Sequence, residues 1–403
     1  MADQRWLAVV GIGEDGLDGL SPAARALISQ AALIVGGRRH LALAGRAGAE
    51  TYPWPSPIEG ALDVIESRRG SPVCVLASGD PFFFGVGTML ARRFAADEMI
   101  VAPAPSAFAL AAARLGWSQQ DCALLSLHGR PLEAIVPHLQ PNAKILALSW
   151  DEATPAKLAG LLAARGMGRS RLTVCEAMGG ARERVRSTEA EGFALGSIAA
   201  LNTIALEVAT EPHARVLPRA AGLPDHWFEH DGQITKREIR AVTLSALAPG
   251  RGETLWDIGA GSGSISIEWM LADPANRAVA VEMQPERARR IARNSLAFGV
   301  PHLAIVTGEA PYVLKDLPDP DAIFIGGGAT RPTLIERAVD ALRPGGRLVI
   351  NTVTLETQSL CVERRAHYGG DLVQIAVAHA EPVGGFTGWS PARPVVQWRF
   401  TKP

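Results

Sequence analysis

Residues 255–269 read LWDIGAGSGSISIEW. An apolar run ends at Ile258. Gly259, Gly261 and Gly263 then alternate with Ala260 and Ser262 through a turn, and a helical pattern begins at Ser264. Glycine lets the backbone bend tightly and approach a ligand with no Cβ in the way. The helix that follows presents unpaired N–H groups at its start. A strand, a glycine turn and a helix in that order form the opening unit of a doubly wound α/β sheet.

The residues downstream repeat the alternation. The apolar strand 278–281 runs into Glu282, a carboxylate placed to accept hydrogen bonds from both hydroxyls of a ribose. Gly308-Glu309-Ala310 follow the strand 303–307 and would frame an adenine. AIFIGGG (322–328) is a strand entering three glycines, and LRPGGRLVINTV (342–353) is a helix stop followed by a strand. The spacing of Ile239, Val242, Leu244 and Leu247 predicts an amphipathic helix over 235–247. A dinucleotide fingerprint, G-x-G-x-x-G, needs its third glycine at position 264, where this sequence has Ser264.

Upstream, strands are expected at 6–13, 32–35, 73–77, 99–102, 145–148, 172–177 and 203–208. Ser21-Pro22 reads as an N-cap with proline at the first helical position. Gly79-Asp80-Pro81 lies in ASGDPFFFGVG (77–87), directly after a strand. Ser106-Ala107 opens an alanine-rich helix in APAPSAFALAAARLGW (102–117). No Gly-Lys-Ser/Thr follows these glycines, so neither segment is a phosphate loop. The proline-marked stretch 210–231 suits neither helix nor strand, which sets the expected domains at 1–215 and 216–403.

Composition limits the partners. With 403 residues the protein exceeds the roughly 250–300 at which single cores usually divide. Residues 1–224 carry 21 basic and 21 acidic side chains, and 225–403 carry 19 and 20, so bulk attraction to nucleic acid is not expected. No uncharged run reaches the roughly 18 residues of a membrane span. No basic, apolar leader opens the sequence, so a cytoplasmic setting is expected. Cys74, Cys122, Cys175 and Cys361 are widely spaced with no CxxC, which argues for reduced thiols and against a metal site.

In order and spacing, the glycine turn, Glu282, the Gly308–Ala310 loop and the PGG-strand element resemble the class I S-adenosylmethionine-dependent methyltransferases. The Gly-Asp-Pro turn, the Pro-x-x-Ser-Ala helix start and LSLHGR (125–130) resemble the tetrapyrrole methylase (class III) family. The first loop departs from that family, with Gly11-Ile12-Gly13-Glu14-Asp15-Gly16 in place of Gly-x-Gly-Pro-Gly-Asp. The fold implied is α/β throughout, a tetrapyrrole-methylase-type domain followed by a doubly wound, Rossmann-like one.

Carried over by motif, Gly79, Asp80, Ser106, Ala107 and Met178 stand beside one methyl donor. Thr235, Gly259, Ala260, Gly261, Ser262, Gly263, Glu282, Glu309 and Ala310 stand beside a second. The resemblance thus implies two S-adenosylmethionine molecules per polypeptide and no metal.

A class III half ahead of a class I half resembles the fused, decarboxylating C-methyltransferases of cobalamin (vitamin B12) synthesis. PDHWFEHDGQITKREIRA (224–241), with Thr235 before a helix start, strengthens that likeness. It implies methylation of a precorrin-6-type tetrapyrrole at carbons 5 and 15, loss of the carboxylate of the acetate on carbon 12, and a homo-oligomer. No His/Asp or Cys/His set marks a catalytic group. His226, Tyr312 and Arg331 stand in loops, and Arg237, Arg240 and Arg331 are candidate partners for substrate carboxylates. Two alternatives stay open. One half is a non-catalytic tetrapyrrole- or partner-binding module, or the protein methylates RNA or protein; the absence of an Asn/Asp-Pro-Pro-Tyr/Trp motif counts against the latter.

Overall fold

The computed structural model describes residues 5–45 and 48–403. They form two compact units, Met1–Leu132 with His138–Arg215, and Glu133–Pro137 with Val216–Pro403.

The first unit holds two five-stranded sheets. One contains β1 (Leu7–Ile12), β2 (Leu33–Gly36), β3 (Glu50–Pro53), β4 (Val73–Ser78) and β5 (Met99–Ala102) in the order β3-β2-β4-β1-β5. All its pairings are parallel. A central parallel strand is covered on both faces, and β1 is buried along its whole length. Leu7 and Val9 enter one apolar cluster, and Ala8, Val10 and Ile12 enter another, as the two-residue period of a strand requires.

The other sheet is mixed. It contains β6 (Cys122–Ser126), β7 (Lys144–Leu148), β8 (Arg171–Glu176), β9 (Arg184–Glu189) and β10 (Asn202–Glu207) in the order β6-β7-β10-β8-β9. Only β6 and β7 pair in parallel.

The second unit is built on a seven-stranded sheet. Its strands are β11 (Thr254–Ile258), β12 (Arg277–Glu282), β13 (Ala304–Thr307), β14 (Ala322–Ile325), β15 (Arg347–Thr352), β16 (Asp371–Ile375) and a last strand, β19 (Val395–Thr401). β17 (Ala378–Val383) and β18 (Phe386–Pro391) form a separate exposed hairpin. The order is β13-β12-β11-β14-β15-β19-β16. The five strands expected from sequence are the parallel ones, and β19 and β16 extend them antiparallel.

The strand order reverses between β11 and β14, which is where an open α/β sheet leaves a crevice beyond its strand ends. One boundary differs from expectation. The helix predicted over 235–247 runs Arg237–Leu247, and Thr235 lies in the segment leading into it.

Candidate functional site

The crevice of the second unit is a cavity of about 1330 Å³. β11 delivers the glycine turn to its floor. Gly259, Gly261 and Gly263 have φ of 73°, 60° and 76°, the left-handed region that glycine tolerates without strain. A Cβ on Gly259 would lie 2.9 Å from the Gly327 nitrogen, so the two glycine loops after β11 and β14 meet backbone to backbone. Gly259, Ala260 and Gly261 line the cavity. Ser262 and Gly263 do not. Ser262 is buried with its carbonyl accepting from Asn294 Nδ2 at 2.9 Å, and a Cβ on Gly263 would meet Ile291. These two shape the turn from behind.

Glu282, at the end of β12, is 5% exposed and borders the cavity. Its Oε2 accepts from the Gly261 N–H and its Oε1 from the Gln284 N–H, both at 2.9 Å. A carboxylate has about four lone-pair directions, so each oxygen keeps one for a hydroxyl donor. The site therefore fits a ribose held by Glu282 beside a backbone too close for side chains.

Glu309 and Ala310 line the same cavity, and Glu309 pairs with Arg331 at 2.9 Å. Below the turn, Asp257 is buried and its Oδ2 accepts from Ser266 Oγ at 2.6 Å. Burial, opposed by the Ser266 hydrogen bonds and aided by Glu282, pushes its carboxyl up to about 6.

The segment before the Arg237–Leu247 helix forms another wall, with Asp225, His226, Gln233 and Thr235 on the cavity. Arg237 and Arg393 also line it, and among the described residues neither has an ion-pair partner. Arg240 departs from expectation. Its sequence position suggests a partner for the substrate's carboxylates, yet it is wholly buried, with Nε on Glu268 at 2.5 Å and Nη1 on Asp225 at 3.0 Å. Tyr312 is 68% exposed and does not line the cavity, whereas His226 and Arg331 do.

In the first unit three segments converge at the ends of β1, β4 and β5. A Cβ on Gly11 would fall on the Gly79 carbonyl, and one on Gly79 would lie 2.8 Å from the Pro105 carbonyl. Gly79 has φ of 57°. Asp80 Oδ1 accepts from the Phe82 N–H at 2.8 Å and so fixes the turn. Ser106 Oγ accepts from the Ala109 N–H at 3.2 Å, the cap of the helix that Ala107 opens. Met178 belongs to a buried cluster with Phe108, Ala111, Ala112 and Cys175.

A polar group that sequence reading did not single out stands beside this turn. His40 Nε2 is 2.8 Å from Ser78 Oγ, and Arg39 reaches both while also pairing with Glu14. Burial, then the Arg39 charge, lowers His40 to about 4. Only the charge density of GGRRH (36–40) hinted at it. Among the described residues no three His, Cys, Asp or Glu groups are placed to hold a metal ion.

Two unlike glycine turns on two α/β units fit the class of two-unit methyltransferases. Residues 7–194 match the family described as Tetrapyrrole (Corrin/Porphyrin) Methylases, and residues 226–402 match the Precorrin methyltransferase domain. The precorrin-6Y C(5,15)-methyltransferase (decarboxylating) of Sinorhizobium sp is 56% identical over 398 residues, 98% of this chain and 96% of that protein. The chain belongs to the precorrin-6Y C(5,15)-methyltransferase (decarboxylating) family.

Two shorter relatives each cover under half of it. A probable cobalt-precorrin-6B C(15)-methyltransferase (decarboxylating) from Pyrobaculum calidifontis is 37% identical over 43% of this chain and 92% of that protein. A cobalt-precorrin-7 C(5)-methyltransferase from Salmonella typhimurium is 34% identical over 44% of this chain and 88% of that protein.

Proposed function

We propose that this enzyme adds methyl groups to carbons 5 and 15 of a precorrin-6-type tetrapyrrole and removes the carboxylate of the acetate on carbon 12, in cobalamin biosynthesis. Each half uses its own S-adenosylmethionine, and the halves are domains 1–215 and 216–403. The cavity of the second unit carries this reading. It joins a ribose-type carboxylate and a bare glycine turn to a wall with the unpaired cations Arg237 and Arg393. Its volume exceeds the roughly 300–1,000 Å³ of an ordinary ligand pocket, which suits a donor together with part of a macrocycle.

When bound, the sulfonium donor supplies an electrophilic methyl group. Glu282 takes the ribose hydroxyls, and the 259–261 backbone takes the neighbouring part of the donor. Arg237 and Arg393 receive substrate carboxylates, each offering a guanidinium fork. Ile239, Phe324 and Val395 give the cavity apolar wall and exclude water. Aligning two reactants lowers a barrier by about 7–11 kcal/mol, so methyl transfer to an enamine-like ring carbon needs placement more than a strong base. Loss of carbon dioxide needs an electron sink, which the conjugated ring provides, and a poorly hydrated carboxylate, which the apolar wall favours.

The first half methylates carbon 5; the second methylates carbon 15 and decarboxylates. Supporting this division, separate relatives named for the C(5) and the C(15) decarboxylating reactions each match a stretch about one half long. One site holds one ring carbon in line with one donor, so two distant carbons favour two sites. The enzyme is read as a cytoplasmic homo-oligomer, which light scattering tests.

Incubating the full-length protein with donor and a precorrin-6-type tetrapyrrole should give a product heavier by two methylene units and lighter by one carbon dioxide. A single methylation with no loss of carbon dioxide would overturn the reading.

A further inference from the structure

Arg240 extends from the Arg237–Leu247 helix into a wholly buried position and spreads its donors over one segment. Nη2 donates to the Leu223 carbonyl, and Nη1 donates to the Thr235 carbonyl and to Asp225 Oδ1. Nε donates to Glu268 Oε1, and the guanidinium stands 4.9 Å from the Phe228 ring centre. Glu268, on the Ser264–Ala272 helix, returns to the same segment. It accepts from the Gly222 N–H at 2.7 Å and the Leu223 N–H at 2.9 Å. One ion pair therefore holds both ends of residues 222–235.

The middle of that segment has anchors of its own. Glu229 N–H donates to Asn294 Oδ1 at 2.9 Å, and Asp231 pairs with Arg287 at 2.9 Å and Arg290 at 3.1 Å. Arg240 thus governs the ends, where the segment meets the cavity. There the Gln233 carbonyl lies 3.0 Å from the position of a Cβ on Gly261, close against the glycine turn. A buried ion pair contributes little net stability compared with an apolar pair of similar volume. What this pair supplies that an apolar pair cannot is a fixed set of backbone positions bordering the turn.

We propose that Arg240, acting with Glu268, is a positioning residue for the methyl-donor pocket of the second unit. It sets donor affinity by holding the backbone that carries Gln233 against the glycine turn and Thr235 on the cavity wall, and it touches neither donor nor tetrapyrrole. The inference rests on reading that pocket as the donor site.

The full-length protein is titrated with S-adenosylmethionine while hydrogen exchange is followed on peptides covering 223–236 and 259–264, which gives the midpoint for the second unit alone. The double variant R240M/E268Q removes both charges and keeps the volume, but it leaves the Leu223 and Thr235 carbonyls and one of the Gly222 and Leu223 N–H groups unpaired. Its melting should therefore fall, and donor binding is read well below that melting point. Its donor midpoint should rise about a hundredfold, the order of loss from a misplacement of about 1 Å. The donor KM should rise with it, and kcat at saturating donor should change little. R240K keeps a charge on Glu268 but cannot reach both carbonyls, and it should bind donor about tenfold more weakly; it decides the matter should the double variant not fold.

Thr235→Ala gives a readout that a purely structural pair would not move. Its effect on the donor midpoint should shrink in the R240M/E268Q background, because Thr235 is then already displaced. Folded R240M/E268Q or R240K proteins with wild-type donor midpoints would overturn the positioning role. A wild-type protein whose second-unit peptides show no donor protection would instead overturn the reading of the pocket.

Discussion

Replacing Glu282 by Gln changes one oxygen to an amide in a side chain of nearly the same shape. In the wild-type protein both oxygens already accept a backbone N–H at 2.9 Å, from Gly261 and from Gln284, and each has one lone pair left toward the cavity. The amide keeps one acceptor. Whichever way it turns, one backbone N–H faces an NH2 and one ribose hydroxyl loses a charged acceptor. Two hydrogen bonds to a charged group, at about 1.5–3 kcal/mol each, become one neutral bond at about 0.5–1.5.

The loss in donor binding is therefore about 1.5–5.5 kcal/mol, or roughly 10- to 10,000-fold in Kd. The unpaired N–H costs the fold about 1–3 kcal/mol more, which a melting curve reads separately. Donor titration of the full-length protein, followed by hydrogen exchange on 259–264, measures the affinity term. The KM for donor should rise with much less change in kcat, since the ribose is held alike before and during transfer. A folded E282Q protein binding donor in the second unit within threefold of wild type would refute the role given to Glu282.

Gly261→Leu places a side chain at φ 60° and 3.0 Å from the Gln233 carbonyl; mass spectrometry should show a product with one added methyl and no carbon dioxide lost. Asp257 has a folded pKa of about 6 against 3.8, so the folded protein binds more protons between those values. The stability of the second unit should thus fall by about 3 kcal/mol as pH rises from 4 to 6 and stay level above, and D257N should remove that slope in denaturation curves. His40 has the opposite sign. Its pKa falls from 6.5 to about 4, so its contribution is complete above 6.5 and is lost as pH drops through that window, by at most about 3 kcal/mol. H40Q should flatten the dependence when exchange is read on first-unit peptides. Arg393→Gln should raise the KM for tetrapyrrole and leave donor affinity unchanged in the same titration.

The glycine turn, Glu282 and the five parallel strands were legible because their signals are local. A strand, a turn and a helix lie within fifteen residues, and a buried parallel strand is apolar along its length. β17, β18 and β9 were not legible, since they are largely exposed and carry no apolar alternation to read. β9 is RVRSTE, and its Arg184 and Arg186 close on Glu176 of the neighbouring strand β8, a pairing that only the sheet register produces.

Arg240 failed for the same reason. Three residues from Arg237 it reads as a partner for substrate carboxylates, whereas its partner Glu268 lies on another helix with the whole glycine turn between them. Met178 is expected beside a donor only by motif, since an apolar neighbourhood in sequence does not by itself distinguish a ligand contact from core. Its packing against Phe108 and Cys175 settles where the side chain lies.

The near-neutral charge of the protein argued against a nucleic-acid partner, and the cavity shows how such a molecule can still receive a polyanion. Of the four acidic residues on its wall, Asp225 is committed to Arg240, Glu309 to Arg331, and Glu282 to two backbone N–H groups, while Glu238 has no ion pair among the described residues. Arg287 is in turn committed to Asp231. Ion pairing removes Asp225, Glu309, Arg331 and Arg287 from the local balance. Among the described residues, Glu238 and Glu282 on one side and Arg237 and Arg393 on the other line the cavity without an ion-pair partner. Both arginines are exposed, so a carboxylate approaching the cavity meets two cations at its solvent side, where attraction is weakened by salt. Under the proposed function, selectivity for a many-carboxylate ring rests on where these two guanidinium groups stand. Net charge is blind to that placement, and the sequence showed only the balance.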